Sequence, residues 1–500
     1  MSFTIQIFLK LAKYREAVQK RFLDIYSNIS LGVRTTGEGS AMNSPDSSIW
    51  KGGATPKQEN GGQDQADQAE LAQYLTRDHK IESANKIRRL IQIVGRPAKN
   101  SAQMIIGSGI LPTIIEMLSS RDSSLASECA WILINVSAGT SEQTSAVVAG
   151  GAIPKLITLS CSTLNEAKIR PLTTLRNILA DSSGLRELLI KEGGLEPALE
   201  VLENPERYSS KCVDTAAWMI ARATDEESDR LILQANTKPI LPILLKFILS
   251  QNEDTAESVT SAIKALRSLT SYAMIDQVIN SGILPRLIRL SRCATENNGI
   301  QGDALQLLHR TLFKRPENIQ AALENGLLDA LQVCISTRTA VTPACWLAER
   351  VAWGSNPQVT TLVQSPLILL LLGVVFDETL PIKSRQEAAR VLSSSARRLT
   401  ASDPHLLERL LNARCIEALS EMLPLDDGSI TRHLLLGIDS FMRIEWAGQR
   451  EAMARFKASN GIHHLREIRL KTWAREGPVK GKAQTMLRTY FPEWSKYPRV

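Results

Sequence analysis

The chain has 500 residues, of which 43% are hydrophobic, 5% aromatic and 22% charged, with a formal net charge of +7. This composition suits a helical core of Leu, Ile, Val and Ala; the modest positive excess and the scarcity of aromatic rings for base stacking argue against nucleic acid, while acidic proteins and anionic surfaces remain open as partners. Seven cysteines (Cys129, Cys161, Cys212, Cys293, Cys334, Cys345, Cys415) stand singly, and the one adjacent histidine pair, His463 and His464, lacks companions at zinc-ligand spacing, so reduced thiols, no metal and no cofactor are expected.

From Phe3 to Tyr26 the apolar residues Ile7, Leu11, Tyr14, Val18, Phe22 and Ile25 recur at helical spacing, with Lys10, Lys13, Arg15, Lys20 and Arg21 between them. An amphipathic helix is expected over 1–27. It has no basic segment ahead of its apolar residues and no small-residue cleavage site, unlike a secretory signal. Residues 28–67 are dominated by Gly, Ser, Asn, Gln and Pro and cannot bury enough apolar surface to offset the entropy of ordering, so they read as a flexible linker.

From residue 68 to 494 one phrase returns: Gly or Pro, then apolar residues, then a helix start. It stands as SGILP at Gly109, GGAIP at Gly151, GGLEP at Gly194, KPILP at Pro239, SGILP at Gly282 and NGLLDAL at Gly326. Weaker echoes follow at Pro366, Cys415 and Gly461. The starts are spaced about 40 to 48 residues apart, the period of two- or three-helix repeat units whose apolar faces are covered by their neighbours. Gly allows the reversal between units, and Pro is tolerated in a first helical turn. Residues 495–500 form a tail. The longest apolar run, Leu367 to Phe376, is too short to cross a bilayer, so a soluble protein is expected.

In the second unit, Trp131 and Asn135 are four residues apart and share one helix face. Asn is a poor residue for a helix interior, which favours a role in binding. The run from Glu128 through Thr144 into AVVAGGAIP resembles the second armadillo repeat of importin-α. The similarity extends in weaker form from about Gln68 to Trp494. It implies an all-α fold, an armadillo-repeat right-handed superhelical solenoid of about ten repeats.

The resemblance also implies a function: binding of the nuclear localisation signals of cargo proteins for nuclear import. In that family, Asn amides pair with the peptide backbone, Trp indoles cradle lysine stems, and an acidic residue pairs one lysine. The implied peptide-binding residues here are Trp131, Asn135, Ser137, Gly139, Thr144, Asn177, Asp181, Trp218 and Trp346. Thr173 takes the place of a Trp, while Arg170, Arg222, Lys264, Arg310, Arg350 and Arg390 border or line a groove where the family presents Asn, Gln or Trp. Guanidinium groups repel lysines, so a second reading is a scaffold whose basic groove takes acidic or phosphorylated partners. The family's N-terminal segment binds importin-β; residues 1–27 have that position without its dense basic clusters. No phosphate loop, GxSxG elbow or nucleophile–base arrangement stands in its required context, so no enzyme is expected.

Overall fold

The computed structural model describes residues 101–495, apart from 108, 163–165, 225–239, 252–256, 271–273, 294–298, 314, 400–402, 425–426 and 471–477. The helix expected over 1–27, the linker, the array up to residue 100 and the tail from 496 lie outside the described residues. Among those described, all regular structure is helical.

Nine helices among the described residues form a ladder in which each packs on the next: α1 (Ser123–Ser137), α2 (Glu166–Asp181), α3 (Ser210–Ala223), α4 (Glu257–Leu269), α5 (Gly299–Thr311), α6 (Val341–Ala352), α7 (Ile382–Arg398), α8 (Gly428–Arg443) and α9 (Pro478–Tyr490). Shorter helices lead into each rung. Before α2 these are Ser141–Ala149 and Ala152–Ser162, set at 78° to each other; before α7 they are Asn356–Gln364 and Leu367–Phe376, at 68°. This three-helix unit is the armadillo repeat, and its recurrence makes the chain an all-α armadillo solenoid.

The core explains the periodicity read from the sequence. Leu, Ile, Val and Ala from every unit join one continuous buried cluster, as with Leu133, Leu175, Ile220, Leu266, Leu308 and Val351 along successive rungs. Five of the seven cysteines are buried within it. Burial pushes the Cys129 and Cys334 thiols up to about 12, so they behave as small apolar groups. Among the described residues no single helix is long and apolar enough to cross a membrane.

At Gly109, Gly151, Gly282 and Gly326 the repeated phrase does place a left-handed residue, with φ of 76° to 81°. In GGLEP the left-handed residue is Gly193, not Gly194; Gly194 instead lies where a Cβ would come within 2.4 Å of Leu189 Cγ. Two of the weaker echoes, though not that at Pro366, keep the same turn with other residues. Arg414 (φ 69°) precedes Cys415 and Asn460 (φ 58°) precedes Gly461. Asn enters this region readily and Arg does so at some cost, so the phrase fades in sequence while the geometry persists.

Candidate peptide-binding ladder

The α1 helix starts where the Asp122 carboxylate accepts from the amides of Ser124 and Leu125. Its end is fixed by a tight loop. Thr144 Oγ1 lies 3.1 Å from the Ser137 carbonyl and 3.2 Å from that of Thr140, and Thr140 and Gln143 form a capping box. Thr144 is fully buried and Ser137 is 5% exposed. A Cβ at Gly139 would sit 1.8 Å from Gln143 Oε1. Ser137, Gly139 and Thr144, expected as peptide contacts, shape this loop: Ser137 and Thr144 are buried, and at Gly139 the capping glutamine fills the space of a side chain.

Asn177 on α2 is also committed. Its Nδ2 donates to the Ile134 carbonyl (3.3 Å) and to Ser137 Oγ (3.1 Å), tying α2 to the end of α1 and leaving only the amide oxygen for a ligand. Asn135 differs: half-buried, one turn from Trp131, its side chain has no hydrogen-bond partner among the described residues. At the end of α2, Asp181 Oδ1 accepts from Ser141 Oγ at 3.2 Å. Thr173, in the place of a Trp, is 8% exposed and donates back to the Ile169 carbonyl at 2.7 Å, so it offers no platform.

The tryptophans already carry cations. The Arg170 guanidinium lies 5.5 Å from the centre of the Trp131 ring, anchored by a 3.1 Å bond from Nη1 to Ser127 Oγ. Arg176 lies 4.5 Å from the Trp218 ring. Further along, Lys383 stands 5.8 Å from Trp346, and Arg397 stands 4.9 Å from Trp353. In each case the cation comes from a neighbouring rung.

The other altered positions make separate contacts along the ladder. Lys264 on α4 is exposed; Arg222 on α3 is half-buried. Arg267 bonds Gln306 and faces Asp303 at 3.3 Å, and Arg310 Nη1 donates 2.7 Å to the Arg267 carbonyl. Between α5, α6 and α7 lies a cavity of about 400 Å³, lined by Gln306, His309 and Arg310 of α5, Trp346, Glu349 and Arg350 of α6, and Glu387 and Arg390 of α7. Arg350 stacks 4.5 Å from the Phe313 ring and donates from Nε to His309 Nε2 at 2.9 Å. Arg390 Nε pairs with Glu387 at 3.2 Å. Burial raises the Glu349 carboxyl, against the pull of Arg390.

His309 and His433 are both held down to about 4, by burial first and then by Arg350 and Arg310 for one ring, Arg397 and Arg390 for the other. Both rings are therefore neutral at pH 7, and the ladder's positive charge comes from Arg and Lys alone. Because the folded values lie below the unfolded value near 6.5, each ring contributes stability above that pH which is lost as the pH falls towards 4. Histidine-resolved proton NMR titration is expected to give midpoints near 4 for both rings; midpoints near 6 would mean that water reaches them.

Sequence reasoning passed over Arg176, Trp353, Lys383, Arg397 and both histidines. For the cations on α7 a signal was available. Lys383, Arg390 and Arg397 recur every seven residues and so fall on one helix face.

Known proteins share the fold and parts of the sequence. A model of the armadillo/β-catenin-like repeat matches residues 99–138, the segment that ends on α1. Importin subunit alpha-1b of Oryza sativa subsp. japonica is 30% identical over 212 residues, covering 42% of this chain and 38% of the relative. The chain is thus similar to importin-α subunits over part of its length and carries an armadillo repeat. Importin subunit alpha-1a of the same plant is 24% identical to this chain over 293 residues, 58% of the chain and 54% of the relative. The chain thus spans between about two fifths and just over half the length of these relatives. A crystal structure of an engineered protein superposes with a TM-score of 0.65 at 19% identity, covering 87% of this chain and all of the other, which speaks to the fold alone.

Proposed function

We propose that the chain is an adaptor that holds an extended, lysine-bearing segment of a cargo protein across α1, α2 and α3, in the manner of a nuclear localisation signal receptor. The observation that carries this reading is the pair on α1: Trp131, and one turn later an Asn135 amide with no hydrogen-bond partner among the described residues. A side-chain amide can donate to and accept from a peptide backbone at once, which suits an extended segment of any sequence. Asp181 supplies a carboxylate for one lysine, Trp218 a second indole, and the Asn177 amide oxygen a further acceptor. On this reading Ser137, Gly139 and Thr144 act indirectly, by fixing the loop that ends α1, and Trp346 belongs to the far end of the ladder. Transport with importin-β, and passage between cytoplasm and nucleus, follow from the kinship with the importin-α subunits and are part of the proposal.

Fluorescence anisotropy of a labelled lysine-rich localisation peptide against the full chain tests it. Binding in the micromolar range or tighter, weakened about tenfold by Asn135→Ala and by Asp181→Ala, is the expected result, in line with one lost hydrogen bond to a charged or backbone group. Absence of binding, or binding indifferent to both substitutions, rules the reading out. Capture of importin-β by the full chain tests the transport step separately.

A further inference from the structure

The α7 helix carries Lys383, Arg385, Arg390, Arg397 and Arg398 against one acid, Glu387. Lys383, Arg390 and Arg397 lie seven residues apart, with Glu387 and Ser394 between them on the same stripe. The stripe faces α6, where Trp346 and Trp353 are also seven apart. Two cation-on-indole stacks therefore stand along the α6–α7 junction, with the Lys383 and Arg397 backbones about 21 Å apart along α7, the two tryptophans about 10 Å apart along α6, and the 400 Å³ cavity lined by Trp346 and Arg390 beside them.

Both stacks lie at the surface. Lys383 is exposed, Trp353 is 44% exposed and Arg397 is half-buried. A guanidinium lying on an indole face keeps its N–H groups in its own plane, available to an anion, and the ring electrons favour holding it there. Among the described residues Arg397 forms no ion pair: it faces Trp353, with the like charge of Arg432 and the opposite charge of Glu349 acting on it. His433, 6.4 Å from Trp353 and bonded through Nε2 to Ser394 Oγ at 2.9 Å, is neutral at pH 7 and adds no competing charge. Glu387 answers Arg390 alone. Among the described residues neither Lys383 nor Arg397, at the ends of the stripe, is held in an ion pair.

We infer that the α6–α7 junction is a second binding surface, of opposite preference to the first, that takes an acidic extended segment of a partner protein. Its cations repeat at roughly 10 Å, further apart than a single carboxylate bridges, so recognition calls for several acidic side chains. At about 3.3 Å per residue, six or seven extended residues span the stripe. A lysine-bearing ligand fares poorly here because both indole faces are occupied by the chain's own cations. The surface lies on different rungs from Asn135 and Asp181 and does not depend on the cargo reading.

The test is anisotropy with the full chain and four labelled probes: a Glu/Asp-rich twelve-residue peptide, its phosphoserine counterpart, a lysine-rich localisation peptide and a single-stranded DNA of equal charge. The acidic peptide is expected to bind, and the double variant Lys383→Ala, Arg397→Ala to weaken it about tenfold or more and to flatten its salt dependence, while the lysine-rich peptide binds as before. Tighter binding of the phosphoserine peptide, lost in the same variant, assigns the same surface to phosphorylated acidic segments. The single variant Lys383→Gln, at an exposed position, gives a readout free of folding effects and is expected to weaken the acidic peptide several-fold. Equal affinity of native and variant chains for the acidic peptide overturns the proposal, as does DNA binding that outcompetes both peptides. Loss of lysine-rich binding in Asn135→Ala, or its absence altogether, bears only on the first site.

Discussion

Lys168→Ala is expected to destabilise the chain by about 3 kcal/mol and to loosen the junction between α2 and α3. Lys168 is fully buried, yet its Nζ lies 2.8 Å from Glu200 Oε2 and 3.3 Å from the Tyr208 hydroxyl, which itself donates 2.8 Å to Glu200 Oε1. The ammonium also stands 4.8 Å from the centre of the Tyr208 ring. Removing one member of a buried ion pair costs about 3 to 5 kcal/mol because the remaining charge is stranded; Glu200 is 35% exposed, which places the loss at the lower end. Methionine, close in volume and without charge, removes the ion pair while keeping the packing, so Lys168→Met is expected to cost less than alanine. Thermal melting by circular dichroism orders native, Met and Ala. Equal melting temperatures for native and Ala would mean that the triad is incidental.

The position of that triad gives the loss a functional reach. It joins α2 to the segment that leads into α3, and Arg176 of α2 must meet Trp218 of α3 for the second cation-on-indole stack to form. A chain with a loosened junction therefore presents an altered second indole.

Much of the fold was legible in the sequence because repetition exposes itself. A phrase that returns every 40 to 48 residues fixes the unit, and the unit cannot bury its apolar face alone, so stacking follows. Where the phrase faded, at Cys415 and Gly461, the left-handed turn was still made by Arg414 and Asn460, a backbone property that residue names do not carry. The binding face was less legible. Trp131 and Asn135 could be paired by their spacing, but nothing in the spacing says that Thr144 is buried or that Asn177 spends both of its donors on the preceding helix. Partners some 40 residues apart decide these outcomes. Arg170 reaching Trp131, and Arg350 reaching His309, are contacts between rungs, and one unit read alone cannot reveal them.

These contacts also change what the arginines mean. Read as substitutions, they looked like losses scattered along a ladder of Asn and Trp. In the structure, cations cover all four ladder indoles in question: Arg170 on Trp131, Arg176 on Trp218, Lys383 on Trp346 and Arg397 on Trp353. The chain supplies for itself the cation that a lysine-rich ligand would otherwise bring. Affinity for such a ligand is then set by how readily the resident cation gives way.

Arg170→Ala turns that statement into a measurement, and it is expected to tighten binding of a lysine-rich peptide about tenfold. The substitution uncovers the Trp131 ring, restoring a contact of roughly 0.5 to 1 kcal/mol for an incoming ammonium. It also removes a like charge whose repulsion at about 4 Å is about 1 kcal/mol in water and larger at a protein surface. Together these amount to about 1.4 kcal/mol or more, a factor of ten in Kd. The change leaves the Asn135 amide and the Asp181 carboxylate in place, so adding Asn135→Ala to Arg170→Ala should remove most of the gain. On the protein's side the cost is the bond to Ser127 and the ring contact, so the melting temperature should fall only slightly. If Arg170→Ala instead weakens the lysine-rich peptide, the guanidinium is a ligand contact in its own right, and the α1–α2 face prefers carboxylates as the α6–α7 junction does.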